Sequence, residues 1–183
     1  MSALTVFADK DSSSVLVNSN DQAAIADELE KIGVRFEQWQ ASAPIDGAST
    51  QDDVLLAYKA DIDRLSTEYG YQSADVVSLT ADNPAKDEMR KKFLDEHTHS
   101  EDEVRFFVRG NGVFYLHVQE KVYAVFCEQG DLISVPANTT HWFDMGANPN
   151  FTAIRLFTNP DGWVANFTGD PIASNFPKYE DVV

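Results

Sequence analysis

The sequence predicts a mainly β fold with helices: an antiparallel barrel or sandwich, preceded by helices packed outside it. Two observations carry this. From residue 104 onward, five short runs rich in β-branched and aromatic residues (104–108, 113–118, 122–126, 132–135 and 151–157) follow one another, punctuated by turn-forming stretches. Before residue 95, strand-like runs alternate instead with apolar residues at helical spacing.

In chain order, 4–8 and 14–18 are β-rich, and Ser19 with Gln22 has capping-box spacing ahead of Ile25, Leu29 and Ile32. Gly33 ends that helix, 34–39 reads as a strand, and 42–49 is turn-rich. Thr50 and Asp53 open a second helix with Val54, Tyr58, Ile62, Leu65 and Tyr69 on one face, and Gly70 stands where a C-cap glycine belongs. Asn83 as cap and Pro84 at the first helical position signal a third helix running to about Leu94. The later strands are separated by Gly110-Asn111-Gly112, Gln119-Glu120, Gly130-Asp131 and a turn over 136–140. Asn159-Pro160-Asp161-Gly162 then begins a terminal segment with a polar tail. No repeat or linker divides the chain, and 183 residues suit one domain over 1–183, since domains usually hold about 100–200 residues.

Thirty acidic against fourteen basic residues give a net charge of −16, which repels phosphate backbones and anionic headgroups, so neither nucleic acid nor a membrane surface is an expected partner. A single cysteine, Cys127, excludes an internal disulfide framework, and on an apolar run it reads as packing rather than as a nucleophile. Without a leader pattern or an apolar run of ~18 residues, a cytoplasmic protein is expected.

The chemistry concentrates in His97-Thr98-His99-Ser100-Glu101-Asp102-Glu103. Histidines at i and i+2 on an extended chain project to one face and can converge on one ion. If a strand continues from Glu103, Arg105 and Phe107 share its side while Val104, Phe106 and Val108 face away. His141 follows the 136–140 turn and can bring in a fourth ligand. A lone histidine is usually a surface or satisfied core group. A random arrangement of the four His and eleven Glu, however, would give His-x-His-x3-Glu only on the order of 0.005 times. Three imidazoles and a carboxylate suit first-row ions such as Fe(II), Ni(II), Mn(II), Co(II) or Zn(II), and suit calcium or magnesium poorly. His117 has no partner at ligand spacing and reads as structural, and Arg155, between Ile154 and Leu156, points either inward or into a surface ion pair.

These residues resemble the cupin superfamily: His97, His99, Glu103 and Gly110 match its first motif, and Gly130, Pro136 and His141 its second. Lys91, Asn138 and Met145 depart from the pattern, standing where two glycines and an asparagine are usual. A longer match resembles the bacterial acireductone dioxygenase family. It includes Phe93, 95–99, 101–108, 131–136, 141–146, 151–155, Gly162-Trp163 and the N-terminal runs 33–37 and 70–73, and so covers essentially the whole chain.

The resemblance implies a cupin (jelly-roll) β-barrel with N-terminal helices packed outside. It implies one Fe(II) or Ni(II) per chain on His97, His99, Glu103 and His141, with Arg105 orienting substrate and Phe93, Phe143 and Trp163 lining an apolar pocket. The implied reaction belongs to methionine salvage: dioxygen cleaves 1,2-dihydroxy-3-keto-5-(methylthio)pentene. The partners are this small molecule and O2, and a monomer is expected. A different metal-dependent cupin, such as a sugar-phosphate isomerase, or a noncatalytic metal-holding cupin are the competing readings.

Overall fold

The computed structural model describes residues 1–159 and 164–182; Pro160, Asp161, Gly162 and Trp163, singled out above, lie outside the described residues. The strands are β1 (Ala3–Ala8), β2 (Asp11–Ser19), β3 (Arg35–Gln38), β4 (Ser73–Leu79), β5 (His97–Thr98), β6 (Glu103–Val118), β7 (Lys121–Glu128), β8 (Asp131–Val135), β9 (Thr140–Asp144), β10 (Phe151–Phe157) and β11 (Asn166–Phe167). The helices are α1 (Gln22–Glu30), α2 (Gln51–Ala57), α3 (Lys59–Tyr69), α4 (Lys86–Leu94) and α5 (Tyr179–Val182), with a 3-10 turn at Pro171–Asn175.

Among the described residues two antiparallel ladders share β6: β11-β5-β9-β6-β7-β1-β2 and β4-β10-β6-β8-β3. The pairing path does not close into a ring, so the jelly roll is open. Both ladders contribute to one interior cluster, with Leu4, Phe107, Phe114, Val125, Ile133, Phe143 and Phe151 almost fully buried. The outer faces are covered too. Val54, Tyr58 and Leu65 from the N-terminal helices pack on Val104, Phe106 and Leu132, and Ile172, Ala173 and Phe176 pack on Val113, Tyr115 and Trp142. Strands buried on both faces read as continuous apolar runs, which is why 104–108 and 122–126 lack polar alternation.

The largest departure from expectation is at Gly110-Asn111-Gly112. These residues bend one sixteen-residue strand instead of turning between two. The first half of β6 pairs β10 and β8, the second half β7 and β9, and Gly110 at φ +69° makes the corner. A Cβ on Gly110 would fall 1.7 Å from the Asn150 carbonyl oxygen, and one on Gly112 2.3 Å from Phe143 Cζ, so both glycines are needed for close packing.

The helix boundaries shift as well. Asp21, not Ser19, caps α1, its side chain accepting from the Ala24 N–H, while Ser19 belongs to β2. The Thr50/Asp53 capping box forms as expected, but the helix breaks at Tyr58 into α2 and α3. Asn83 accepts from the Ala85 N–H in a turn, so α4 starts at Lys86 rather than Pro84. Strands β4, β9 and β11 add to those read from the sequence.

Candidate metal centre

Four side chains from three strands and one loop converge at one end of the interior. His97 lies on β5, between Phe167 of β11 and His141 of β9, which is its direct cross-strand partner. His99 follows two residues on, and Glu103 opens β6 opposite Val135 of β8. One ligand atom from each of His97, His99, Glu103 and His141 lies within 4.8 Å of all the others, and all four residues are buried. As the strand alternation requires, Arg105 shares the Glu103 side, while Val104, Phe106 and Val108 face the N-terminal helices.

The backbone fixes how the imidazoles point. Nδ1 of His97, His99 and His141 lies 2.7, 3.3 and 2.8 Å from the carbonyl oxygens of Asp95, Val164 and Thr139. A carbonyl only accepts, so each Nδ1–H donates and each Nε2 turns its lone pair to the common centre. Asn138 adopts φ +61°, the left-handed region in which asparagine best replaces glycine, and its N–H donates to the His99 carbonyl at 2.8 Å. That bond ties the loop before His141 to the loop after His97.

The donor set fits a cation. Glu103 Oε2 lies 2.7 Å from His141 Nε2 and 3.4 Å from His99 Nε2. Lone-pair atoms gathered so closely need a positive charge between them. Burial would raise the Glu103 carboxyl, but Arg105 and His141 outweigh it and hold it well below the usual range. Burial, and then neighbouring His141, bring His97 down to about 4, so it is neutral at neutral pH, the form in which an imidazole can hold a metal.

Arg105 completes the floor. Its Nε is 2.7 Å from Glu103 Oε1, but the N–H is not aligned on that oxygen. Arg105 Nε and Nη1 and Glu103 Oε1 therefore stay buried without hydrogen-bond partners. The guanidinium carbon stands 4.8, 5.2 and 5.6 Å from the rings of Phe143, Phe114 and Phe93. A cavity of about 310 Å3 opens over these groups, lined by Lys92, Phe93, His97, His99, Arg105 and Arg155 among others. A wider groove of about 460 Å3 between α1 and β3 holds none of these side chains.

Phe93 thus faces the cavity, Phe143 lies beneath Arg105 within the core, and Trp163 is outside the described residues. Both readings of Arg155 hold together: it lines the cavity and pairs with Asp75 through Nε at 2.7 Å and Nη2 at 2.5 Å. His117 Nδ1 donates to buried Glu96 at 2.8 Å, and Thr168 donates to the other Glu96 oxygen at 2.8 Å. Sequence reading missed Lys92 at the cavity; it is adjacent to Phe93, on the last turn of α4. Cys127 is buried, and burial pushes its thiol well above the usual value.

An open antiparallel jelly roll carrying a His-His-Glu-His cluster at one end defines a metal-binding cupin. Residues 3–165 match the model of the ARD/ARD' family, and the chain belongs to that family. Curated acireductone dioxygenases similar to it include those of Hahella chejuensis (56% identical over 183 residues, 100% of this chain and 98% of the relative) and Pseudomonas aeruginosa (58% over 181 residues, 99% and 100%). A third, from Aquifex aeolicus, is 55% identical over 183 residues, 100% of this chain and 99% of the relative. A solved acireductone dioxygenase from Bacillus anthracis, with a cadmium ion in its active center, superimposes with a TM-score of 0.81 at 30% identity, covering 91% of this chain and 98% of that one.

Proposed function

We propose that the chain, as one cupin domain over 1–183, is an acireductone dioxygenase of methionine salvage. It cleaves 1,2-dihydroxy-3-keto-5-(methylthio)pentene with O2. With Fe(II) the products are formate and 4-methylthio-2-oxobutanoate; with Ni(II) they are carbon monoxide, formate and 3-methylthiopropanoate. His97, His99, Glu103 and His141 hold the single ion. The observation that carries this reading is Arg105, fully buried beside the ligand cluster with two N–H groups left without partners at the base of a cavity. Such donors are costly to bury, by about 1–3 kcal/mol each, unless a ligand uses them.

A bound divalent ion supplies Lewis-acid affinity for an enediolate and activation of dioxygen. The protein does the rest. The Nδ1–H donations to Asp95, Val164 and Thr139 keep the three imidazoles in place. Arg105 offers its N–H groups to the anionic oxygen and compensates its charge in a site screened from water. Phe93 gives an apolar wall for the methylthio tail, with Trp163 as its proposed counterpart and Phe143 backing the guanidinium. Within the described residues no helix is long and apolar enough to cross a membrane.

The test is anaerobic reconstitution of metal-free protein with Fe(II), and separately with Ni(II), followed by acireductone, oxygen and product analysis. Keto acid from the iron form and carbon monoxide from the nickel form are expected. Folded, metal-loaded protein that consumes no oxygen with either ion would overturn the reading.

A further inference from the structure

We propose that Lys92 is the entry residue of the cavity, a solvent-facing cation that draws an anionic chelating ligand toward the cluster at its floor. The identity of that ligand as an enediolate rests on the acireductone reading. A chain of net charge −16 repels any anion that approaches it, so an anionic ligand needs a local field of opposite sign at the point of entry. Three cationic side chains line the cavity: Lys92, Arg105 and Arg155. Two of them each stand against a carboxylate at close range, which weakens the field they project to the mouth. Arg105 stands against Glu103 at 2.7 Å, and Arg155 is held by both oxygens of Asp75.

Lys92 is different. Its ion-pair partner Glu88 is 3.9 Å away, beyond hydrogen-bond reach, and the two side chains are 70% and 76% exposed. A contact so loose and so hydrated cancels little of the ammonium's field. The three cations therefore form a gradient of depth, from Lys92 at the mouth to Arg105 at the base.

A purely structural role would be to offset the carbonyl dipole at the C-terminal end of α4. Lys91 separates the two roles. It sits on the same last turn and offsets the same dipole, yet lines a different groove, beside Asp87, Arg90 and Glu180. Charge reversal at Lys91 should disturb the helix end as much as reversal at Lys92, and the entry only at Lys92.

The experiment compares Lys92→Glu, Lys92→Arg and Lys91→Glu in the nickel-loaded protein. Calorimetry measures oxalate binding, oxalate being a redox-inert chelating dianion, and steady-state assays measure acireductone turnover. In low salt, Lys92→Glu should weaken oxalate about fivefold and lower kcat/KM by a similar factor through KM, with kcat held. The loss should shrink to within about twofold near 1 M salt, where the screening length is about 3 Å. Lys92→Arg should restore both values, and Lys91→Glu should match the wild type. Equal losses at Lys91 and Lys92, no loss at Lys92, or a loss insensitive to salt would overturn the proposal. Lys92-dependent oxalate binding in a protein that consumes no oxygen with acireductone would uphold the entry role and count against the enzymatic reading.

Discussion

Arg105 carries the sharpest conflict between stability and function in the molecule. Burial draws its pKa below the usual arginine value, Glu103 opposes that shift, and two of its nitrogens lack hydrogen-bond partners. A folding optimum would place an apolar chain of similar volume against Phe93, Phe114 and Phe143. In the metal-loaded protein, where the ion rather than Arg105 would balance the Glu103 carboxylate, Arg105→Met should unfold within a few degrees of the wild type. It should retain the ion and lose turnover by about 10²-fold or more, since a charge-compensating donor is removed where charge gathers. Thermal melting, metal content and kcat/KM read the three expectations separately. A large fall in melting temperature would make the arginine structural, and full turnover would remove its orienting role. His97→Ala is the counterpart. It should fold but lose most of its bound metal, because the remaining three ligands no longer surround an ion.

At the scale of elements, the site depends on α4 holding its place against β9. Arg90 on α4 grips Asp144 through Nε at 2.8 Å and Nη2 at 3.0 Å, and the same Nη2 reaches Glu180 on α5 at 2.8 Å. Asp144 is wholly buried, only three residues beyond His141, so this clamp fixes Phe93 and Lys92 relative to the strand that carries the fourth ligand. Arg90→Met should destabilise the fold by about 3–5 kcal/mol, because it strands a buried carboxylate. Urea denaturation at pH 7 measures this, and a loss below about 1 kcal/mol would show that the N–H groups of Tyr179 and Gly146 suffice for Asp144. The clamp has an acid edge. The Arg90 hydrogen bond is the main cause holding Glu180 at about 2, so its contribution is complete above the ordinary glutamate value and fades as pH falls toward 2. The gap between wild type and variant should narrow over that range.

Legibility in the sequence follows the range of the deciding contact. The Thr50/Asp53 box and the His97, His99 and Glu103 spacing are local and can be read directly, while His141 is offered as a fourth ligand by the turn before it and then by its match to the second cupin motif. Gly110-Asn111-Gly112 has the composition of a turn, but Asn150 and Phe143, distant in sequence, decide that it is a bend. Residues 73–79 are half-buried at every position but the last, which leaves no alternation to mark β4. The Glu96–His117 pair spans 21 positions and carries no local spacing signal.

Over the whole molecule, the metal centre closes the end at which four separate strands meet. β5, β9 and the start of β6 each contribute a side chain to the proposed metal site, while β11, among the described residues, pairs only with the two-residue β5. An ion on His97, His99, Glu103 and His141 therefore crosslinks segments that short ladders hold weakly, and it binds the folded state alone. At a free metal concentration a hundredfold above its dissociation constant, such binding adds about 2.7 kcal/mol. In a chain of this size that corresponds to a rise in melting temperature of roughly 5–10 °C. Scanning calorimetry of chelated and reloaded protein measures it. Zn(II) or Cd(II), which have no redox chemistry to offer, should raise the melting temperature as Ni(II) does while supporting no oxygen uptake. Matching melting temperatures with and without metal would mean that a proton shared between His141 and Glu103 already closes the site, and that the cluster serves chemistry without bracing the fold.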